Sequence, residues 1–502
     1  MQTSTQAIIR DRVLLLPDSV LGHLCGQASH AARLAGLSLL VSSASATRPF
    51  TTGILTTLQL HLPHMFADVD ANFRGEVHSH FQALINRLRS ILAVLARQSE
   101  KPTHEKIAKM FTHDAAKIKN VQSQQEAEEV QASHMSFIAW VIRFVTSELV
   151  TTAAYQRHIS ASKALIALLR SGLDGNVAHA DLSKSARGDV HWPVHVNVVT
   201  TATLRALLDL LLDPFDDVRQ AALESLLIVQ AASSINPSST VARIDATGVQ
   251  KTLIRAREIM LKSGRVDQAD GVARLYSLTV HRHLILAEGG TSTIDKPTWD
   301  VIEGLASDLE AALSVALKDL TLAVQRYPIH GLFTATRYAL EQILNSASTG
   351  EEQKFEKIFS RLELTLLHTW RSVRHLLCND APEGFMPEEM EDEANLTTRD
   401  VLSYAWRGLK ESSLLLRTLA SPACAALVRR DCYDRRIQKL GGLCFTQLAE
   451  LRHRGAFSTV AQTFAYVCAE SATSANPQVA RMIEGFYDVS SVQPMSSPRI
   501  TR

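Results

Sequence analysis

Histidine and cysteine are the residues of this 502-residue sequence whose spacing could support metal or nucleophilic chemistry. His78 and His80 are two positions apart, so on a helix they point to different sides and do not easily share a metal ion. Cys424, Cys432, Cys444 and His453 lie at spacings that match no standard zinc motif. We therefore predict solvent-exposed or packed histidines, buried helical cysteines and no metal site.

Signatures of nucleotide binding and of acyl transfer are also weak. The glycine pair in GLDGN (172–176) has no strand before it, so it lacks the context of a dinucleotide-binding loop. The sequence contains no GKS, GKT or GxSxG motif. The acidic residues at 388–393 belong to a polar loop, where no burial would shift their pKa values. The sequence therefore predicts a protein that is not an enzyme and that uses no cofactor.

The composition favours a helical chain without a global charge. Hydrophobic residues make up 46% of the sequence, and glycine (22) and proline (15) are scarce for its length. The net charge of +1 does not indicate a general affinity for nucleic acid or membranes. Six scattered cysteines without a CxxC pair indicate reduced thiols, and we expect a cytoplasmic protein. No apolar run reaches the length of about 18 residues that suggests a membrane span.

Apolar residues recur at steps of three and four residues along most of the chain, as in 81–98 and 136–150. The segment LLLDPFDDVRQAALESL (210–226) has a proline that ends one helix and aspartates that can cap the next. A helix, an acidic turn with proline and a DVRxxA start are typical of HEAT and armadillo repeats. We predict an all-α fold, a HEAT/armadillo-like α-solenoid of irregular helical hairpins.

Polar and charged stretches divide the predicted helical regions. The stretch 173–193 is rich in Gly, Asp, Ser and Lys, and 379–400 is strongly acidic and contains two prolines. The predicted segments are 1–172, N-terminal helical repeats; 173–193, a flexible loop; 194–378, middle helical repeats; 379–400, an acidic disordered loop; 401–488, a C-terminal helical region; and 489–502, a disordered tail.

One segment, 417–454, is locally basic and carries eight basic against three acidic residues. Clustered arginines can bind phosphates, and RNA is often recognised through its backbone. A solvated helix face whose charges pair with the acids at 383–393 is the alternative interpretation. The residues that we expect to contact RNA or a partner are Arg429, Arg430, Arg435, Arg436, Lys439, Arg452, His453 and Arg454.

Gly455 lies among these charges, directly before an apolar stripe that includes Phe457 and Phe464. Glycine inside a helix costs about 1 kcal/mol relative to alanine. We therefore expect Gly455 at a junction, where it ends a helix over 444–451 and allows a close turn before the two phenylalanines pack inward.

Seven segments in order carry a family resemblance. They are ARLAGLSLL (32–40), HLPHMFADVDANFRGEV (61–77), AAYQRHISASKALIALL (153–169), SGRVDQADGVARL (263–275), HGLFTATRYAL (330–340), YAWRGLKESSLLLRTL (404–419) and LRHRGAFSTVAQTF (451–464). In this order they resemble the family of thyroid adenoma-associated protein and its counterparts that regulate tRNA ribose methylation. No single motif is decisive, and it is their order along the chain that carries the resemblance.

The resemblance implies a non-catalytic α-solenoid that helps a separate tRNA 2′-O-methyltransferase to modify nucleotide 32 of the anticodon loop. The methyltransferase and tRNA are then the expected partners, and S-adenosylmethionine belongs to the methyltransferase. No membrane and no small-molecule substrate is expected for this chain. The alternative is a general protein-binding α-solenoid, for transport or assembly, that makes no contact with RNA.

The resemblance also places residues 401–488 at the start of the central domain of that family. An arginine-arginine-serine-alanine-glycine motif that follows in the family is missing from this sequence. Members of the family are considerably longer than 502 residues. We therefore expect a truncated member with an incomplete central domain.

Overall fold

The structure is a computed structural model, and most of its regular secondary structure is α-helix. The chain forms two compact units, Met1–Asp245 and Ala246–Arg502. The division between them falls inside the predicted middle segment, 194–378. The structure describes residues 4–9, 12–43, 45–99, 114–235, 245–287, 294–346, 351–380, 382, 396–474, 476–482 and 484–486.

The N-terminal unit begins with an antiparallel hairpin of two strands, β1 (Ser4–Ile9) and β2 (Arg12–Pro17). The helical periodicity did not predict this hairpin, because its strands carry short apolar runs instead of alternating apolar and polar residues. The helices that follow among the described residues are α1 (Asp18–Cys25), α2 (His30–Val41), α3 (Thr52–Phe66), α4 (Ala71–Ser99), α5 (Asp114–Ser147), α6 (Tyr155–Leu169), α7 (Thr201–Leu210) and α8 (Asp216–Ile235).

Consecutive helices of this unit pair as hairpins: α1 with α2, α3 with α4, α5 with α6, and α7 with α8. The second helices of these hairpins, α2, α4, α6 and α8, pack against one another in chain order and form one layer. The first helices, α1, α3 and α5, form a second layer in the same way. Each hairpin thus buries its apolar face against its neighbours, as in helical solenoids.

The acidic turn between α7 and α8 shows why the DVRxxA pattern marks a repeat. The buried Arg219 side chain donates hydrogen bonds to the carbonyl oxygens of Asp213, at 2.7 Å, and Pro214, at 3.0 Å. The Asp213 carboxylate in turn lies 3.0 Å from Nδ1 of the buried His158 on α6. The arginine therefore supplies hydrogen bonds to two backbone carbonyls of the turn between α7 and α8.

The segment 173–193 has no regular structure beyond one 3₁₀ turn, but its ends and middle are anchored to the helices. The buried Trp192 donates from Nε1 to the carbonyl oxygen of Ser171, at 3.0 Å. The buried Arg89 of α4 donates to the same carbonyl, at 3.1 Å, and to that of Ser185, at 2.8 Å. The flexibility that we predicted for this segment stays a prediction.

The C-terminal unit is built from helices in the part of it that the structure describes. These are α9 (Ala246–Ser263), α10 (Val266–Ala287), α11 (Lys296–Ala316), α12 (Leu320–Arg326), α13 (Ile329–Ser346), α14 (Glu352–Leu377), α15 (Thr398–Leu419), α16 (Pro422–Ala426), α17 (Arg430–Glu450), α18 (Arg454–Ala472) and α19 (Pro477–Ala480).

Two layers again organise the packing of this unit. Helices α10, α13, α15 and α18 pack in succession, and α11, α14 and α17 form the facing layer. Side chains between the layers make one continuous apolar core, in which Phe333, Phe355 and Phe359 are almost completely buried. The predicted all-α solenoid fold is thereby confirmed. Most of the predicted acidic loop, 379–400, and all of the predicted tail, 489–502, lie outside the described residues.

Candidate functional site

The basic residues predicted to bind RNA or a partner do not form a single patch. One group lies on and just before the N-terminal half of α17, and the other lies at the turn between α17 and α18, called here the α17–α18 corner. Because α17 has 21 residues and a helix rises by about 1.5 Å per residue, its two ends are about 30 Å apart. The first group is Arg429, Arg430, Arg435, Arg436 and Lys439, and the second is Arg452, His453 and Arg454.

Three arginines of the first group are exposed and lie next to carboxylates. Nε of Arg429 is 3.2 Å from a carboxylate oxygen of Glu356 on α14. Nε of Arg430 is 3.2 Å from Asp434, one turn along α17. Arg435 pairs in the same way with the aspartate four residues before it. Such exposed pairs contribute little to stability, and this part of the basic segment therefore fits the interpretation of a solvated face.

Arg436, also expected to contact RNA or a partner, differs from the other members of the first group because it is buried. Its side chain is 4% exposed and forms an ion pair with Glu363 of α14. Its guanidinium group also lies 5.0 Å from the ring centre of Phe359. The Arg436 side chain thus links α17 to α14 through these contacts. It is not available to a ligand at the surface. Lys439, by contrast, is exposed and forms no ion pair with the described residues.

The backbone of the α17–α18 corner is held by the C-terminal end of α14. The carbonyl oxygen of Leu377 accepts hydrogen bonds from the backbone N–H groups of Arg452, at 3.0 Å, and His453, at 3.2 Å. His453 is the N-cap of α18, and its Nδ1 accepts the N–H of Ala456 at 3.1 Å. Leu377, about 75 residues earlier in the chain, therefore fixes the backbone conformation of this turn. The local sequence alone does not determine that conformation.

Gly455 is the second residue of α18, so the prediction that it ends the preceding helix is wrong. That helix ends at Glu450, and Gly455 does not have a positive φ. A Cβ atom at position 455 would lie 3.0 Å from Nε1 of Trp406, on α15, so this position favours a residue without one. Phe457 was also predicted to pack inward, but it is 46% exposed.

Two arginines carry the charge at the corner. Arg452 is half exposed, and its Nε lies 3.9 Å from the fully exposed Asp380. Arg454 is exposed and forms no ion pair within the described part of the chain. Lys410 adds a third cation, 5.9 Å from the ring centre of Trp406, although its Nζ also lies 3.7 Å from a carboxylate oxygen of Glu411. Cations beside an aromatic ring suit contact with the phosphates and bases of RNA.

Trp406 is the residue of this corner that sequence reasoning missed. Its ring centre lies 6.0 Å from that of His453, and it is half buried between α15 and the corner. The segment 404–419 contributed only to the family resemblance. Nothing local in that segment indicates which later turn the tryptophan would meet.

Among the histidine and cysteine candidates, Cys424 and Cys444 are buried, whereas His78, His80 and Cys432 are only partly buried. His78 lines a cavity of about 600 Å³ in the N-terminal unit, where burial and the nearby Lys163 lower its pKa to about 4. Burial raises the pKa values of the Cys424 and Cys444 thiols to about 12, so both stay protonated at neutral pH. Among the described residues, no group of three or more His, Cys, Asp or Glu side chains could hold a metal ion.

None of the described helices is both long and apolar enough to cross a bilayer.

Two protein families match the chain, one in each compact unit. The family described as Trm732, TPR repeats, matches residues 3–220. The family described as THADA/TRM732, DUF2428, matches residues 357–501. The two matches together take up most of the chain.

Curated relatives carry the same names. Over 443 residues the chain is 24% identical to the tRNA (32-2'-O)-methyltransferase regulator trm732 of Schizosaccharomyces pombe, a match that covers 87% of this chain and 27% of that protein. Over 207 residues it is 25% identical to the tRNA (32-2'-O)-methyltransferase regulator THADA of Drosophila melanogaster, a match that covers 35% of this chain and 12% of that protein. The chain thus spans about a quarter of the length of the first relative and less of the second.

Solved structures resemble the chain only weakly. An engineered protein matches 94% of this chain and 98% of its own at 13% identity, with a TM-score of 0.26. A structure from work on cadherin and beta-catenin matches 94% of this chain and 93% of its own at 9% identity, with a TM-score of 0.19. Similarity at this level supports no conclusion about function.

Proposed function

The chain belongs to the THADA/Trm732 family, and we propose that it is a non-catalytic regulatory subunit of a tRNA (32-2'-O)-methyltransferase. The observation that carries this proposal is the 443-residue similarity to the regulator trm732, because it takes up 87% of this chain. The names of both relatives support a methyltransferase and tRNA as partners. The scattered, unpaired cysteines support a cytoplasmic protein.

We further propose that the α17–α18 corner contributes to the surface that meets tRNA. Arg454 is exposed without an ion pair among the described residues, and Arg452 faces only the exposed Asp380 at 3.9 Å, so both can neutralise phosphates. The three exposed arginines of the first group lie closer to their carboxylates, at 3.2–3.3 Å. The backbone of the corner is fixed through Leu377, so its two cations project from a defined turn. Two cations held in a fixed position can contribute to tRNA binding even when the protein as a whole is not strongly basic.

Reconstitution tests the regulatory role directly. The purified chain is mixed with the tRNA (32-2'-O)-methyltransferase and unmodified tRNA, and methylation of nucleotide 32 is followed over time. We expect the rate to rise with the concentration of this chain until it saturates. A rate that stays at the level of the methyltransferase alone would contradict the proposal, and co-purification of the two proteins gives an independent readout of their association.

Charge reversal tests the role of the corner. Arg452→Glu combined with Arg454→Glu should weaken tRNA binding and reduce the slope of log affinity against log salt by roughly one for each phosphate that is no longer neutralised. The matched control is Arg97→Glu with Arg205→Glu, which reverses two exposed arginines of the N-terminal unit. Equal losses in both double variants would show a general charge effect and exclude a specific corner. Binding of the methyltransferase without any binding of tRNA would favour the alternative, a solenoid that contacts only protein.

A further inference from the structure

Three short turns of the N-terminal unit lie side by side along one edge of the solenoid, called here the hairpin-turn edge. They join α3 to α4, α5 to α6 and α7 to α8, and their residues are 67–70, 148–154 and 211–215. Because α4, α6 and α8 pack in succession and packed helices lie about 8–10 Å apart, the three turns span roughly 20 Å. The edge contains none of the residues proposed above to meet tRNA.

Side-chain contacts between neighbouring hairpins connect the three turns. Arg74 of α4 donates to the carbonyl oxygen of Val69 at 3.0 Å, and its guanidinium group lies 5.8 Å from the ring centre of Tyr155. Tyr155 is the first residue of α6, and its ring centre lies 4.4 Å from that of Phe215 in the next turn. The turns therefore form one continuous surface and not three separate loops.

A buried histidine makes a second link between the turns 148–154 and 211–215. Nε2 of His158 lies 2.6 Å from the carbonyl oxygen of Val150, and its Nδ1 lies 3.0 Å from the carboxylate of Asp213. One side chain thus contacts both turns from inside the unit. The backbone of each turn is held in place while the side chain of Val150 stays at the surface.

Apolar side chains are exposed along this edge. The exposed fraction is 81% for Val69, 49% for Val150, 38% for Leu212 and 48% for Phe215. Single exposed apolar residues are common on protein surfaces and need no explanation. These four, however, come from three turns that are in contact with one another, and contiguous exposed apolar surface marks sites of interaction.

The charges of the hairpin-turn edge are mainly acidic. Acidic residues outnumber basic ones by six to three over the turns and the first helical turn after each, residues 67–74, 148–158 and 211–219. The three arginines are all engaged within the chain, by backbone carbonyls or by a carboxylate. Asp216 and Asp217, by contrast, are exposed at the start of α8. Such an edge repels the phosphates of RNA and attracts basic groups.

An occupant of this edge must offer apolar side chains and positive charge, which a protein surface can present and RNA cannot. We propose that the hairpin-turn edge docks the methyltransferase. Apolar side chains of that protein cover Val69, Val150 and Phe215, and basic side chains face Asp216 and Asp217. This inference rests on the proposed regulatory role, and it gives the two partners different surfaces: the acidic edge meets the protein, and the α17–α18 corner meets tRNA.

Calorimetric titration of the full chain with the tRNA (32-2'-O)-methyltransferase, in the absence of tRNA, tests this surface. Val69→Ser combined with Phe215→Ser removes apolar contact area from two turns and should weaken binding on the order of tenfold or more. The matched control is Leu364→Ser with Leu367→Ser, at two leucines of α14 that are 46% and 40% exposed, and it should bind like the unchanged chain. The affinity for tRNA should be the same in all three proteins.

Two single substitutions test the charge of the partner. Val69 is so exposed that neither Val69→Lys nor Val69→Glu removes a buried contact, so both variants should fold like the unchanged chain. Val69→Lys should weaken binding of the methyltransferase more than Val69→Glu does, because it places a positive charge opposite a basic surface. Equal effects, or the reverse order, would overturn the proposed charge match.

The remaining outcomes distinguish this inference from the regulatory role. If the unchanged chain binds and stimulates the methyltransferase, and Val69→Ser with Phe215→Ser does so equally well, the docking surface is overturned and the regulatory role stands. If the unchanged chain does not bind the methyltransferase, both proposals fail. A chain that self-associates, and that loses this association in the double variant, would assign the edge to a second copy and overturn the inference as well.

Discussion

The indole ring of Trp406 lies directly against Gly455, and a Cβ atom at position 455 would be 3.0 Å from Nε1 of the tryptophan. The same atom would be 3.2 Å from Cε1 of His453. The glycine that precedes the apolar stripe of α18 is therefore explained by the close approach of two helices. This contact joins α15 to the first turn of α18, next to the exposed Arg452 and Arg454.

Gly455→Ala should destabilise the C-terminal unit, although alanine normally stabilises a helix interior by about 1 kcal/mol relative to glycine. The added Cβ forces Trp406 or His453 to move, and overpacking of this kind costs about 1–3 kcal/mol. Thermal unfolding measures the effect. The control is Gly442→Ala in α17, where a Cβ meets nothing within 4 Å, and this variant should be stabilised. Trp406→Leu combined with Gly455→Ala should recover part of the loss, and additive effects would contradict the contact.

Removing Arg436 should destabilise the protein through its buried partner and not through weaker RNA binding. Arg436→Met leaves the carboxylate of Glu363, on α14, without a cation, and breaking a buried ion pair costs about 3–5 kcal/mol. The double variant Arg436→Met with Glu363→Leu should regain much of this stability. Denaturant unfolding gives both values. The salt dependence of tRNA binding should not change in the double variant, and a reduced slope would show that Arg436 contacts phosphate.

The stability of the C-terminal unit should fall as the pH decreases from about 6.5 to about 4. Above pH 6.5, His330 is neutral in both the folded and the unfolded state, so it adds no proton linkage. Between these values the unfolded chain binds a proton that the folded chain excludes, which removes on the order of 3 kcal/mol by pH 4. His330→Gln should show a shallower loss over this range. His179→Gln, at an exposed histidine, is the control and should follow the unchanged chain.

His453 should stabilise α18 as its N-cap. His453→Ala leaves the N–H of Ala456 without its acceptor and should cost about 1 kcal/mol. His453→Asn supplies an oxygen that can cap the same helix and should retain most of the stability. Unfolding of the two variants at neutral pH checks this order. Similar losses in both would show that the packing of the imidazole ring, and not the cap, is what matters.

The sequence was sufficient to predict the helical class, the repeat turn and the family. Helical periodicity and the DVRxxA turn depend on residues close together in the chain, and Arg219 indeed bonds to carbonyls only five and six positions before it. The two-layer packing of hairpins follows from the same local signals, since each helix has one apolar face to bury.

The parts of the site that were not predicted depend on distant residues. Arg436 looked like its exposed neighbours because Glu363, 73 positions earlier, is what holds it inside. The reason for Gly455 is likewise a tryptophan on another helix. Whether a charged residue on α17 faces solvent or α14 is decided by the rotation of the helix in the assembled layers, which the local composition does not encode.

The layered packing also determines how the chain loses its structure. Each hairpin is stabilised mainly by its immediate neighbours, so cooperativity extends only as far as the packing between adjacent hairpins. Helices with fewer packed neighbours should exchange their amide hydrogens sooner than α13 and α15, which lie between others. We therefore expect local openings of this kind to precede the global unfolding that the variants above measure.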